Sequence, residues 1–375
     1  MKSLLSALLL SVGLAAPAAV AQVVGSPWGF ATGVTGGGNA KPVYPTTNAE
    51  LVALLGSSQP QVIVLTKTFQ FVGTEGTTTA EDGCAPWGQA AGCQLAINAN
   101  GWCGNRPRVR VTYDTAGTKP IYVKSNKTLV GQGSAGVISG KGLYLSGVSN
   151  IIIQNIQITD LNPKFVWGGD ALTFFGSDLV WIDHVRTSKI GRQHYVTGFG
   201  GNKRHTWSNN YIDGRSDFSA SCDGRHYWGI LVSGDGDEIT FQNNYVHYTS
   251  GRSPALSGNS IFHAVNSVWS DNNGHALEGG SNARGLFEGC YFDKIKEVAG
   301  TNLQNKLFSA SPANRAQCQA ALGRTCLPNG YRSSGTFPHS DASLLADFKG
   351  RRIAPAGSAD EAFLNVPKNA GNGKL

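Results

Sequence analysis

The sequence predicts an all-β chain wound as a parallel β-helix, one domain with a short N-terminal capping helix and loop excursions along one side. Three observations predict it. The 375 residues include 49 glycines and few good helical windows, a composition of many short strands and turns. A short apolar stretch closing on a polar residue recurs about every 27 residues: IIIQN ends at Asn155, VWIDH at His184, TWSNN at Asn210, TFQNN at Asn244, FHAVN at Asn266 and LFEGC at Cys290. Each is followed by an alternating run (IQI, VRT, YID, YVH, SVW, YFD), the period of a strand with one buried face. The steps of 29, 26, 34, 22 and 24 residues vary around a constant core, as they do when insertions bulge from one corner of stacked coils. Asparagine suits the inward turn, because stacked side-chain amides hydrogen-bond from coil to coil and satisfy buried backbone groups.

The elements follow in chain order. Residues 1–21 read as a secretory signal: Lys2, an apolar run from Leu4 to Leu14, and the small-residue cleavage site Ala19-Val20-Ala21. That run is shorter than the roughly 20 residues a membrane span needs. The expectation is therefore a secreted protein with no membrane anchor, whose mature domain covers residues 22–375. TTNAELVALLG (Thr46–Gly56) reads as a short amphipathic helix, capped by Asn48 or a neighbouring threonine, that covers the open end of the coil stack. A cysteine-rich excursion runs from Asp82 to Cys103, and an Ala/Gly/Pro-rich tail after Phe337 wraps the outside.

Secretion favours disulfides for the seven cysteines, and an odd count leaves at least one unpaired. The spacings of Cys84, Cys93 and Cys103 do not match structural zinc pairs. Asn126-Lys127-Thr128 is a glycosylation sequon. A net charge of +7, or +6 without Lys2, suits an anionic partner. Nucleic acid is excluded as that partner, since no Lys/Arg cluster carries interleaved aromatics. Arg106, Arg108 and Arg110 alternate, so in a strand they share one face, suited to water or to an anionic polysaccharide.

The repeat register brings distant residues together. Asp170 lies 14 residues before His184, Arg252 14 before Asn266, Trp228 16 before Asn244, and Arg192 and His194 18 and 16 before Asn210. These residues are expected in one column on one exterior face. Arg192 and Arg252 then stand two coils, roughly 10 Å, apart, with Asp170 one coil beyond Arg192. Trp87, Trp102, Trp167, Tyr227 and Trp228 rim the same groove. Aromatic faces stack on pyranose rings and arginines pair with carboxylates, so the constellation reads as a site for an acidic sugar. Trp181 and Trp207, inside repeat strands, read as packing residues, and His184 as structural. Asp235 and Asp237 lie on a turn with no third aspartate to complete the cluster a polysaccharide hydrolase on such a fold needs.

GGDAL at 168–172, WIDH at 181–184 and SGRSP at 250–254, in this order, resemble polysaccharide lyase family 1, and within it the fungal-type pectin lyases. The resemblance covers essentially the whole mature chain. It implies a right-handed parallel β-helix that cuts methyl-esterified pectin by β-elimination as a monomer and without a cofactor. Arg252 matches the family's catalytic arginine, a role that calls for desolvation and cationic neighbours. Asp170 matches an aspartate that pectate lyases use for calcium, while Arg192 stands where pectate lyases carry further acidic ligands. Two arginines and one carboxylate make a poor calcium cage, since Ca²⁺ takes 6–8 oxygen ligands, so no metal site is expected. The resemblance also implies the pairs Cys84–Cys103, Cys93–Cys222 and Cys318–Cys326, leaving Cys290 as a buried thiol. A calcium-dependent pectate lyase and a non-catalytic pectin-binding β-helix are the alternatives.

Overall fold

The computed structural model describes residues 22–280, 282–300 and 303–375, so the signal segment expected at 1–21 lies outside the described residues. The strands stack in register into three faces of a parallel β-helix. One face has ten parallel strands, running from Pro42–Val43 through Ser149–Gln154, Asp178–Asp183, Lys203–Ser208, Glu238–Gln242 and Ile261–Val265 to Lys306–Ser309. A second face stacks Thr68–Gln70, Val137–Ser139, Gln157–Leu161, Arg186–Ile190, Tyr211–Asp213, Tyr245–His247 and the long strand Val268–Gly279. That strand bends into the third face, made of Ala255–Leu256, Ile230–Val232, Tyr195–Thr197, Leu172–Phe175, Leu143–Ser146 and Ile121–Tyr122.

Alternation explains which side chains fill the bore. Ile151 and Ile153 point inward and are fully buried. Ile152 points outward and is buried as well, because residues near the N-terminus lay Ala31 across it and Trp181. The first face is therefore covered on both sides, which is why its strands read as continuous apolar runs. Inside, like stacks on like from coil to coil: Phe174 on Trp207 at 5.3 Å between ring centres, and Trp269 on Phe292 at 5.1 Å.

The corner after the first face corrects the expected ladder by one residue in part of the stack. Gln154, Asp183, Ser208, Gln242, Val265 and Glu288 are register partners. The next position holds Asn155, His184, Asn209, Asn243, Asn266 and Gly289, all with φ between 48° and 60°. This is the left-handed region, where asparagine and glycine are least penalised. The inward amide ladder sits one residue further on. Asn210 Nδ2 donates to Asn244 Oδ1 at 2.9 Å, and the Asn244 amide donates to Ser267 Oγ at 3.1 Å. The sequence motif thus merged two ladders, one chosen for backbone conformation and one for hydrogen bonding. The true steps of 29, 25, 34, 23 and 23 residues follow from these positions.

The ends close as the composition suggests. The N-terminal helix spans Asn48–Gly56, capped by Thr47 rather than Asn48, with Glu50 completing a capping box, and it buries Leu51 and Leu55 against the first coils. Beyond Phe337, Leu344, Leu345 and Phe348 pack on the outside of the first face with Phe30 and Phe308. The C-terminal helix Ala359–Asn369 lies over Tyr211, Tyr245, Val268 and Tyr291. From Leu51 to Phe337 the buried apolar residues form one continuous cluster.

Candidate active site

The third face carries the candidate site at the end where its strands begin. Leu172, Tyr195 and Ile230 are register partners pointing into the bore, and Ala255 pairs with Leu231. Counting back two residues on each coil aligns Asp170, Gln193, Trp228 and Arg252. Arg192 is one position earlier, and its side chain reaches across to the neighbouring coil. Its Nε donates to Asp170 Oδ1 at 3.0 Å and its Nη2 to Oδ2 at 2.9 Å, a two-pronged fork on a carboxylate. The Gln193 amide adds a bond to Asp170 Oδ1 at 2.8 Å. Trp167 covers the other side of the Arg192 guanidinium, 3.8 Å from its ring centre. Both oxygens of Asp170 are engaged by protein, so the residues present do not fit a calcium ion.

Arg252 stands two coils further along. It has φ +35°, unusual for a residue with a side chain. Its guanidinium lies 4.8 Å from the centre of the Trp228 ring and 5.9 Å from that of Tyr227. The expectation of cationic neighbours is corrected here: the charged partner is a carboxylate, with Arg252 Nε 3.3 Å from Glu278 Oε2. Glu278 also accepts from the Tyr227 hydroxyl and from His275 Nε2 at 2.7 Å. Burial pushes the Glu278 carboxyl up, but His275, Tyr227 and Arg252 together outweigh it and hold the group below the usual carboxylate range. The same hydrogen bond to Glu278 raises His275 above the ordinary histidine value, against a smaller opposing effect of burial. Glycine permits this packing at two places. A Cβ on Gly251 would come 2.4 Å from the Tyr227 ring, and one on Gly229 2.6 Å from the Arg252 carbonyl oxygen.

The aromatic rim gathers beside Arg252. Trp87, Trp102 and Trp228 lie with ring centres 6.2 to 6.4 Å apart, and Arg106 stacks on Trp102 at 4.5 Å. With Tyr227 and Arg252 they line a cleft of about 560 Å³. Trp167 joins the same cluster at its edge. One expectation changes: Trp228 is only 7% exposed, and its Nε1 donates to Gln94 Oε1 at 3.2 Å. It supports the other rings from beneath, while Trp87 and Trp102 remain half-exposed. Disulfide Cys84–Cys103 closes the excursion that carries these rings, Cys93–Cys222 ties it to the coil that carries Trp228, and Cys318 joins Cys326 near the C-terminal end. Cys290 is a buried free thiol that burial pushes up to about 12.

Other residues singled out by sequence, and with them His226, lie elsewhere. His194 is fully buried rather than on the exterior column, with Nδ1 2.8 Å from Thr187 Oγ1. His226 is buried beneath the site, within 2.7 Å of the Arg192 carbonyl oxygen, and burial lowers it to about 4. His184 sits on the first face against Asp183 at 2.7 Å. Asp237 is buried among the amides of Asn202 and Gly234, a turn-fixing role. Arg108 and Arg110 begin an antiparallel strand, while Arg106 precedes it and turns to Trp102. Asn126 is half-buried at a turn, its Oδ1 accepting from Asn150 Nδ2 at 2.8 Å. Sequence reasoning missed Glu278 and His275. The repeat step from Arg252 points to this coil, and the Asp271-Asn272-Asn273-Gly274 run marks where the strand Val268–Gly279 bends into it.

Comparison with known proteins places this arrangement. The pectate lyase family model matches residues 103–354. A probable pectin lyase C of Aspergillus niger is 63% identical over 362 residues, covering 96% of both chains. Pectin lyase B of Emericella nidulans is 55% identical, covering 96% of this chain and 97% of that one. Among solved structures, a pectate lyase from Bacillus sp. N165 in complex with trigalacturonate superposes with a TM-score of 0.62 at 21% identity, covering 93% of this chain and 99% of that one, a likeness of fold. The chain belongs to the pectate lyase family, on the side of its fungal pectin lyases.

Proposed function

We propose that this chain is an extracellular, single-domain enzyme (residues 22–375) that cleaves methyl-esterified α-1,4-galacturonan by β-elimination as a monomer. The observation that carries the reading is the Asp170–Arg192 fork standing two coils from Arg252, beside a cleft floored by tryptophan. With Nε and Nη2 committed to Asp170, Arg192 keeps its Nη1 hydrogens for a substrate oxygen. In a methyl-esterified residue the C6 ester acidifies C5–H. Arg252, having first released one of its own protons to water, takes the C5 proton, and the charge passes into the ester as an enolate that Arg192 stabilises by donating to the carbonyl oxygen. The C4–O bond then breaks, C4=C5 forms, and the departing oxygen is protonated by water. Arg192 does here what a metal does at an acidic site, so calcium has no place in the scheme. Trp87 and Trp102 offer ring faces to the sugar, and the three disulfides suit an oxidising, extracellular setting. Among the described residues no helix is long and apolar enough to cross a membrane.

The test is incubation with methylated pectin in excess chelator, following the ultraviolet absorbance of the unsaturated product. Undiminished release supports the reading. Loss by chelator with rescue by Ca²⁺ identifies a calcium-dependent pectate lyase instead, and binding without product identifies a non-catalytic pectin binder.

A further inference from the structure

The outward side of the third face does not stop at Asp170. Tyr122 and Tyr144 stand in register with Thr173, and the same outward row continues through Ala255 to Glu278 beside Arg252. Tyr144 is one coil and Tyr122 two coils from the coil of Asp170, roughly 5 and 10 Å along the axis. Toward this end the row exposes aromatic rings. Tyr122 is 61% exposed, and its ring centre lies 5.2 Å from that of Tyr144. Phe175, at the end of the strand on the Asp170 coil, and Phe199, just past the strand on the Arg192 coil, are 41% and 83% exposed further along the same face. Phe175 lies across Gly198, where a Cβ would come 2.2 Å from its ring. Exposed aromatics strung along one face of the stack suit a binding surface for an extended chain.

A charge accompanies them. Lys124 is exposed on the same outward side, two residues after Tyr122. Nearby Lys119 and Lys141 are both taken up by Glu75, whereas among the described residues Lys124 has no such partner. Ring faces for pyranose stacking and a free ammonium for an unesterified carboxylate match one ligand, a partly methylated galacturonan, and the row runs unbroken into the groove already described.

We propose that Tyr122, Tyr144, Phe175 and Phe199 form a distal subsite that stacks sugar rings of the galacturonan chain, with Lys124 receiving a free carboxylate. This rests on the lyase reading of the groove. Tyr144 and Tyr122 lie one and two coils before Asp170, on the side away from Arg252, so they act on long chains.

The test is affinity electrophoresis in gels containing methylated pectin, with product release measured in parallel. The double variant Tyr122→Ala/Phe199→Ala is expected to lose retardation roughly 3- to 10-fold, the range for an aromatic contact. Its kcat/KM is expected to fall more on polymer than on a methylated trimer. Tyr122→Phe should retain the retardation, and Lys124→Gln should lose it mainly in gels of low esterification. Leu364→Ser, on the exposed side of the C-terminal helix, is the control and should migrate as the wild type. Equal mobility of wild type and double variant overturns the subsite. A changed sedimentation coefficient with unchanged retardation also overturns it, assigning the patch to self-association. Wild type that is retarded but releases no unsaturated product sinks the lyase reading while the variant's loss of retardation still supports the subsite.

Discussion

Arg252 and Glu278, on adjacent coils, form an ion pair with Nε 3.3 Å from Oε2, and the same carboxylate is held by Tyr227 and His275. The guanidinium is thereby fixed against the Trp228 ring instead of ranging through solvent. Holding a reacting group within a fraction of an ångström is worth orders of magnitude in rate, so Glu278 matters through Arg252.

Glu278→Gln keeps the shape and removes the charge. We expect kcat on methylated pectin to fall about 10- to 100-fold while KM shifts less than about 3-fold. Glu278→Asp should recover part of the loss. A merely structural carboxylate would lower the melting temperature and leave kcat alone, so steady-state kinetics beside thermal denaturation separate the two.

The Glu278–His275 contact has a pH signature. His275 is raised above its ordinary value of 6.5 by the hydrogen bond to Glu278. A histidine raised on folding stabilises fully below the unfolded value, and the contribution is lost as pH rises through the folded one. An NMR titration of the His275 imidazole should show a midpoint above 6.5 in the wild type, falling in Glu278→Gln. A midpoint at or below the ordinary value contradicts the pairing.

The tryptophans divide by burial. Trp228→Ala removes a ring that is 7% exposed and leaves Gln94 Oε1 without its donor, so it should cost roughly 3–5 kcal/mol of stability. Trp87→Ala, at a half-exposed ring, should raise KM about 2- to 12-fold with little change in melting temperature. Chemical denaturation and KM measured on both variants check this; a stable Trp228→Ala with an altered KM would reverse the assignment.

Much of this is legible in the sequence. The coil repeat came from apolar stretches closing on asparagine, and the placement of Asp170 one coil from Arg192 followed from counting along it. The limits were physical. Asn209 and Asn210 are adjacent and chemically identical, yet one takes the left-handed backbone and the other turns inward, so spacing alone shifted the ladder by a residue. Trp228 neighbours glycines and a cysteine, which read as a loop, but the disulfide-tied excursion folds over it. Glu278 lies near the end of a strand of twelve residues that spans two faces, and the Asp271-Asn272-Asn273-Gly274 run that bends it, where Asp271 takes φ 61°, falls between repeat stretches instead of at the end of one.

The central claim is that Arg252 acts on the C5 proton and is more than an anchor for an anionic polymer. Arg252→Lys tests it most directly, because lysine keeps the charge but loses the planar fork and some reach. The measurement is kcat and KM on methylated pectin, with circular dichroism confirming the fold. The account predicts that kcat falls at least about 100-fold while KM changes little. A well-folded Arg252→Lys protein with near-native kcat would contradict it.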